Sequence, residues 1–320
     1  MIGKVSIRGF IVSIYVGAHE YQYDERSPIG SGAMGTVYKG YDRSTGEFVA
    51  IKRVVDKYAN NPEIRYRARQ EAELMFSHPN LVEMLGCCEV APNHGPIFII
   101  SRFVNGENID SFINSHVRSL PNAEHRICDL FFPVLDALDY IHQKGIIHMD
   151  IKPSNIMMEQ GRNVRLMDLG IADVKDTINT ATSGMMGTPK YAAPEQFSDK
   201  TSHPQLTPAT DIYEAGVTLF ELLTLKNPFT ASTLEEAKEM HQGILLERTR
   251  SMSDAVYRVI RKATAINPTD RYQTARQMKM ALKQALLDQP KPKINWLYVG
   301  VALTGLIIIA ILTILYIINR

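Results

Sequence analysis

The sequence predicts a folded α+β protein with one hydrophobic helix near its C-terminus. A glycine-rich stretch that begins at Ile29 runs into β-forming residues 36–38, which indicates a hairpin of two strands. Residues 127–141 place apolar side chains at the 3.6-residue period of a buried helix face. Residues 297–318 contain no charged side chain. At 320 residues the chain can form one two-lobed domain or two small ones.

The composition excludes several classes of protein. Hydrophobic residues make up 45% and charged residues 22%, as in ordinary globular proteins, so a disordered or collagen-like chain is excluded. Because 35 Lys and Arg balance 34 Asp and Glu, we expect no nucleic-acid partner. The cysteines, Cys87, Cys88 and Cys128, form no even disulfide framework and no zinc-binding pattern, which favours a reducing compartment.

The first residues resemble a secretion signal only superficially. Two basic residues precede the apolar run FIVSIYVGA, but that run is barely nine residues long. The alternation of Ile11, Ser13 and Tyr15 also suits a strand. We therefore predict that residues 1–23 form an extra strand or extension that packs on the following domain.

Two motifs in the first fifty-odd residues are typical of phosphate binding. Gly30, Gly32 and Gly35 have the spacing G-x-G-x-x-G, and the strand that follows them distinguishes the motif from a dinucleotide-binding turn, which opens a helix. The missing side chains let backbone N–H groups approach a phosphate. Lys52 ends the β-forming run V-A-I-K and would place an ammonium group near the same phosphates.

The densest set of chemical groups lies in residues 148–155, HMDIKPSN. A predicted strand leads into Asp168, and the segment GTPKYAAPE ends at Glu195. In this order the chain resembles the eukaryotic-type serine/threonine protein kinases. Eight such elements, spread over residues 30–271, cover most of the sequence that precedes the hydrophobic run. Their joint order makes coincidence negligible.

The resemblance implies the bilobal protein-kinase fold, an α+β fold with a small β-rich lobe and a larger α-helical lobe around ATP. The hydrophobic run predicts one C-terminal transmembrane helix after it. The resemblance also implies an ion pair between Arg271 and Glu195. The expected segments are an extension (1–23), a kinase domain (24–288) with lobes 24–104 and 105–288, a linker (289–295) and a transmembrane helix (296–318).

The resemblance further assigns roles to individual residues. Asp150 would accept the proton of the substrate hydroxyl, and Lys152 would neutralise charge on the γ-phosphate. Asn155, also counted as catalytic, and Asp168 would bind Mg²⁺ or Mn²⁺. Glu73 rivals Glu71 as the carboxylate that pairs with Lys52. The nucleotide-binding residues would be Ile29, Gly30, Ser31, Gly32, Ala33, Met34, Gly35, Val37, Ala50, Lys52 and Glu71, with the hinge residues Ser101 (the gatekeeper), Arg102 and Val104.

The implied function is transfer of the γ-phosphate of ATP to Ser or Thr hydroxyls of proteins, including autophosphorylation, in signalling at a membrane. The alternative is a membrane-anchored pseudokinase scaffold that binds nucleotide or partners without chemistry. A small-molecule kinase is disfavoured because the GTPKYAAPE segment forms a platform for peptides. Met149 replaces the arginine that clamps a phosphorylated activation loop in many kinases, so we expect that switch to be absent.

The hydrophobic run predicts a membrane span. Its 22 residues, 297–318, would cover about 33 Å as a helix. Lysines precede the run and only Arg320 follows it, which favours a single-pass protein whose kinase domain faces the cytoplasm. Gly300 and Thr304 would let two such helices approach, so a homodimer and the lipid bilayer join protein substrates as expected partners.

Overall fold

The computed structural model describes residues 4–32, 35–60, 62, 65, 69, 77–91, 95–168, 189–197, 206–231, 233–244 and 246–288. Residues 1–286 form one compact unit. Within the described ranges, no helix is both long and apolar enough to cross a membrane. The predicted linker 289–295 and the predicted span 296–318 lie outside those ranges.

Strands dominate the first third of the chain, and helices dominate the rest. The strands are β1 (Lys4–Arg8), β2 (Ile11–Val16), β3 (His19–Gly32), β4 (Gly35–Asp42), β5 (Phe48–Val54), β6 (Met84–Glu89), β7 (Ile97–Arg102), β8 (Gly106–Asn108), β9 (Ile156–Glu159) and β10 (Asn163–Leu166). The helices are α1 (Asp56–Ala59), α2 (Ile109–Phe112), α3 (Ala123–His142), α4 (Pro208–Thr224), α5 (Leu234–Gly243), α6 (Asp254–Ala263) and α7 (Ala275–Leu287).

The small lobe is a curled antiparallel sheet in the order β1-β2-β3-β4-β5-β7-β6. The prediction that the N-terminal residues form an added strand is confirmed, because β1 and β2 form a hairpin on the β3 edge. Val16 of β2 reaches Gly86 of β6, where an added Cβ would lie 3.0 Å from its side chain. The sheet thereby closes around a core that includes Ile14, Ile51 and Phe98.

One uninterrupted strand joins the N-terminal hairpin to the glycine-rich motif. The first half of β3 pairs with β2, and its second half pairs with β4 up to Gly32 and Gly35. Register shifts between Tyr23 and Gly30 mark bulges in this strand, which bend it where it leaves the packed part of the sheet. The predicted hairpin of two strands around the glycines is confirmed.

The large lobe is built around α3 and the buried helix α4. The predicted apolar stripe is confirmed, since Phe131, Leu135 and Leu138 of α3 are completely buried. The helix ends just before Gly145, whose φ of +76° is the left-handed conformation that glycine adopts most easily. Strands β8, β9 and β10 form a small sheet beside these helices. The cysteines, Cys87, Cys88 and Cys128, are free and buried, as core residues.

Candidate active site

The three glycines of the hairpin are required for different reasons. A Cβ at Gly35 would lie 2.3 Å from the main-chain oxygen of Arg53, so packing alone requires glycine there. A Cβ at Gly30 or Gly32 would meet no described atom within 4 Å. At these two positions the missing side chain leaves free space for a ligand beside the backbone. Ala33 and Met34, at the tip of the predicted loop, lie outside the described residues.

Lys52 meets Asp168 between the lobes. In the sheet Lys52 lies opposite Val37 of β4 and Ile99 of β7, so strand pairing on both sides fixes the position of its backbone. Its Nζ is 3.5 Å from Oδ2 of Asp168, with the lysine side chain mostly buried and the aspartate half-exposed. Asp168 has φ of +57°, a left-handed conformation that aspartate tolerates better than most residues.

The glutamates proposed to pair with Lys52, Glu71 and Glu73, lie outside the described residues. The rest of the predicted nucleotide set, Ile29, Ser31, Val37 and Ala50, lies along β3, β4 and β5.

The residues predicted to form the hinge lie at the end of β7 and just after it. Ser101 is half-buried and pairs with Ala50 of β5. The N–H groups of Arg102 and Phe103 donate to the carbonyls of Glu83 and Phe48. The N–H of the buried Val104 donates to no acceptor among the described residues. The hinge therefore leaves one backbone donor for a flat heterocycle beside a small side chain.

A single carboxylate organises the loop that follows α3. Both oxygens of Asp150 accept from Nζ of Lys152, at 3.0 and 2.8 Å. Asn155 Nδ2 donates to Oδ2 of Asp150 at 2.9 Å and to its main-chain oxygen at 2.8 Å. The structure thus brings together the three residues predicted to be catalytic. A carboxylate held in this way can accept a proton from a hydroxyl placed against it.

The loop is fastened to carboxylates of α4 by its own backbone. The N–H groups of His148 and Met149 donate to Asp211 at 2.8 and 2.7 Å, and the N–H of Ile151 donates to Glu214 at 2.8 Å. Asp211 is fully buried and also contacts Nε2 of His142 at 2.7 Å. Burial, together with the neighbouring Asp211, holds the pKa of Glu214 well above its ordinary range.

The candidate metal ligands lie at the end of this network. Met167, which precedes Asp168, donates its N–H to the carbonyl of Asn155 at 2.9 Å, so the two predicted ligands lie on connected segments. Within the part of the chain that the structure describes, the Asn155 side chain donates through Nδ2, and its Oδ1 is the candidate ligand atom. Carboxylate and amide oxygens suit Mg²⁺, which in such sites takes further oxygens from phosphates and water.

The segment around Glu195 is anchored at two points on the large lobe. Arg271 donates to both oxygens of Glu195, at 2.7 and 2.8 Å, which confirms the predicted ion pair. Tyr191 Oη donates to Glu221 of α4 at 2.7 Å. Burial and this carboxylate raise the pKa of Tyr191, so its hydroxyl remains a donor. The segment therefore offers a fixed surface beside the loop of Asp150.

Residues 23–284 match the model of the protein kinase domain. The chain belongs to the protein kinase family. The match covers both lobes of the kinase domain and includes the glycine-rich hairpin, Lys52, the Asp150 loop and Asp168.

Bacterial serine/threonine kinases are among the relatives of this kinase domain. A probable serine/threonine-protein kinase of Streptomyces coelicolor is 31% identical over 84% of this chain. The serine/threonine-protein kinase PrkC of Bacillus subtilis is 31% identical over 80% of this chain. This chain spans about two fifths of the length of these relatives, 40% of the first and 39% of the second.

Solved structures show the same fold. The kinase domain PknI of Mycobacterium tuberculosis superposes with a TM-score of 0.63 at 22% sequence identity. The similarity covers 83% of this chain and 95% of that one.

Two residues that support the catalytic loop carry no motif that marks them in the sequence. Glu214 and His142 touch no predicted ligand, but they hold the backbone of the catalytic loop and the carboxylate of Asp211. The signal that could have found Glu214 is a second acidic residue three positions after Asp211, in the mostly apolar first part of a helix. Such a pair on a buried helix indicates acceptors for backbone donors.

Proposed function

We propose that this chain is an ATP-dependent serine/threonine protein kinase that transfers the γ-phosphate of ATP to protein hydroxyls. The observation that carries the proposal is the convergence of Lys152 and Asn155 on Asp150. The second observation is the approach of Lys52 to Asp168 across the interlobe cleft. The names of the bacterial relatives support the Ser/Thr class.

The proposed reaction needs positioning and charge neutralisation more than covalent chemistry. A Ser or Thr hydroxyl oxygen forms a bond to the γ-phosphorus while the bond to the bridging oxygen of ADP breaks. Asp150 takes the hydroxyl proton, and Lys152 neutralises charge on the transferred group. The glycine hairpin covers the phosphates, and Lys52 holds those nearer the nucleoside. Val104 and the carbonyl of Arg102 orient the adenine.

We further propose Mg²⁺ as the metal, with Mn²⁺ as a substitute, held by Asn155 and Asp168. The ion supplies charge neutralisation on the phosphates. A nucleoside triphosphate with its cation fits the groups at one end of the cleft, which are the ammonium of Lys52, the amide oxygen of Asn155 and the half-exposed carboxylate of Asp168. Glu71 is the proposed partner of Lys52, with Glu73 as its rival.

The test is transfer of labelled γ-phosphate to the full chain itself and to myelin basic protein, in nonionic detergent with Mg²⁺. We expect label on Ser or Thr that falls at least about 10³-fold in Asp150→Asn. The matched control is Asp129→Asn, an exposed aspartate on α3 outside the site. Unaltered labelling in Asp150→Asn would contradict the assignment, and nucleotide binding without any transfer would favour a scaffold.

We also propose that residues 296–318 form a membrane anchor and that the kinase domain faces the cytoplasm. The proposal is supported by the uncharged run itself, by aromatic residues near both of its ends and by Lys291 and Lys293 before it. Two copies in one membrane would meet often, which favours autophosphorylation in a homodimer.

Alkaline extraction of membranes tests the anchor. We expect the full chain to stay in the membrane pellet and the double variant Ile307→Lys, Ile308→Lys to be released, because each central lysine costs about 3 kcal/mol in a bilayer. Met280→Lys, at an exposed position of α7, is the control. Release of the unaltered chain would disprove the anchor.

A further inference from the structure

A closed series of side-chain contacts begins and ends in segment 189–197, which lies beside the catalytic loop. Glu195 binds Arg271, whose guanidinium lies 4.8 Å from the centre of the Tyr213 ring. Tyr213 Oη is 2.8 Å from Nδ1 of His241, and the His241 ring stacks on Phe197 at 5.5 Å. Since Phe197 follows Glu195 by two positions, the chain of contacts returns to the segment where it began.

His241 is the member of this series of contacts that comes from α5. Its side chain is 1% exposed, and its ring lies 3.7 Å from the centre of Phe229. Burial lowers the pKa of His241 to about 4, so the imidazole is neutral in the cell. A neutral imidazole has one nitrogen that donates and one that accepts.

One nitrogen of this imidazole lacks a hydrogen bond. Nε2 of His241 is buried and makes no hydrogen bond of normal geometry with any described residue. If Tyr213 donates to Nδ1, Nε2 carries the hydrogen. The carbonyl of Pro189, at the start of the same segment, faces the imidazole and favours its protonated form. The Nε2–H group of His241 and the carbonyl of Pro189 are thus a donor and an acceptor at the same apolar pocket.

We propose that His241 is a positioning residue for the protein substrate. Its ring stacks on Phe197 at one end of segment 189–197, and the imidazole faces the carbonyl of Pro189 at the other end. This coupling ties α5 to the surface that receives the polypeptide around the target hydroxyl. The inference rests on the proposed kinase activity and specifies how its substrate surface is held.

Three variants of the full chain test the proposal. His241→Phe keeps a ring of similar shape but removes both nitrogens, and His241→Gln restores an N–H near the place of Nε2. Gln242→Ala, at the next, exposed position of α5, is the matched control. The measurements are the KM for myelin basic protein, the KM for ATP, kcat, Tm and hydrogen exchange of the amides in 189–197.

We expect His241→Phe to raise the KM for the protein about ten-fold and leave the KM for ATP unchanged, because one buried hydrogen bond is lost. His241→Gln should recover to within about three-fold of the parent. An unchanged protein KM in His241→Phe, or a parallel rise of both KM values with a fall in Tm, would overturn the proposal.

Hydrogen exchange separates failure of this proposal from failure of the kinase assignment. We expect faster exchange of the amides in 189–197 in His241→Phe than in Gln242→Ala, whether or not phosphate is transferred. A chain that transfers no phosphate but shows this difference would disprove the activity and retain the structural coupling. Equal exchange in both variants would disprove the coupling itself.

Discussion

The catalytic loop of the large lobe and the glycine hairpin of the small lobe are held in opposite ways. Three backbone donors of the loop, the N–H groups of His148, Met149 and Ile151, end on buried carboxylates of α4. The hairpin is held by strand pairing, and Gly30 and Gly32 border free space. In the proposed reaction both regions face the same phosphates.

The difference indicates that the two regions have different roles in the proposed reaction. Proton transfer to Asp150 needs a positional error well below 1 Å, and the buried hydrogen bonds between the loop and α4 supply that rigidity. A phosphate chain needs many backbone donors that can settle around it, which free space and absent side chains allow. Changes in the loop network should therefore lower stability and kcat, whereas changes at the hairpin should mainly affect nucleotide binding.

The largest effect is expected for Lys152→Met. Removing the ammonium group leaves the Asp150 carboxylate with Asn155 but removes the cation that would neutralise the γ-phosphate. We expect kcat to fall about 10³-fold while the free energy of unfolding changes by less than about 1 kcal/mol. Steady-state kinetics and denaturant unfolding measure the two quantities. A fall in kcat of less than ten-fold would remove Lys152 from the mechanism.

Asp211→Ala should act on stability first. Its buried carboxylate accepts from two backbone N–H groups and contacts His142, and all three would lose their partner. We expect a loss of about 3 kcal/mol in the free energy of unfolding, followed by a loss of kcat as the loop loosens. Glu235→Ala, an exposed carboxylate on α5, is the control. Equal stability in both variants would show that the loop is held by other contacts.

The sequence predicted the parts of the site that are local along the chain. Residues 148–155 are close together in the sequence, so the resemblance of their order to a catalytic loop was enough to identify Asp150, Lys152 and Asn155 as one site. The helix stripe of α3 and the hairpin at Gly32 were predictable because period and turn chemistry are local. The contact of Lys52 with Asp168 joins residues far apart in the sequence. The family resemblance assigned both residues to the ATP site but gave Glu71 or Glu73 as the partner of Lys52.

Contacts between remote segments could not be predicted from any pattern. The closure of the small-lobe sheet depends on Val16 reaching Gly86, two positions with no shared motif. The pocket of His241 is formed by Phe197, Tyr213 and Phe229, which come from three separate elements. In the sequence His241 looks like one polar residue of an exposed helix, because burial is decided by what packs on α5.

A matched pair of glycine variants tests the small-lobe side of the comparison. In Gly35→Ala the new Cβ meets the carbonyl of Arg53 at 2.3 Å, so the strands must separate. We expect a loss of about 2 kcal/mol in the free energy of unfolding. Gly30→Ala should leave stability within about 0.5 kcal/mol and raise the KM for ATP about five-fold, since its methyl group enters the free space. Equal stability losses in the two variants would show that packing, not ligand access, requires both glycines.

The smallest effect expected is an acid sensitivity of stability that arises at His241 in the large lobe. The pKa of His241 is lowered to about 4 by burial, and Tyr213, the titratable group in contact with it, is neutral because its own pKa is raised. Below an unfolded-state pKa of about 6.5 the unfolded chain binds a proton that the folded chain excludes, so this contribution to stability falls as pH drops from 6.5 towards 4.

At pH 5.5 the loss should be about 1 kcal/mol relative to neutral pH. Glu214, whose pKa is raised, titrates with the opposite sign, so the test is the difference between the parent and His241→Phe in denaturant unfolding at both pH values. The parent should lose more stability than the variant on acidification. Equal losses would place the charge-sensitive element of the large lobe elsewhere and leave His241 with a role in packing alone.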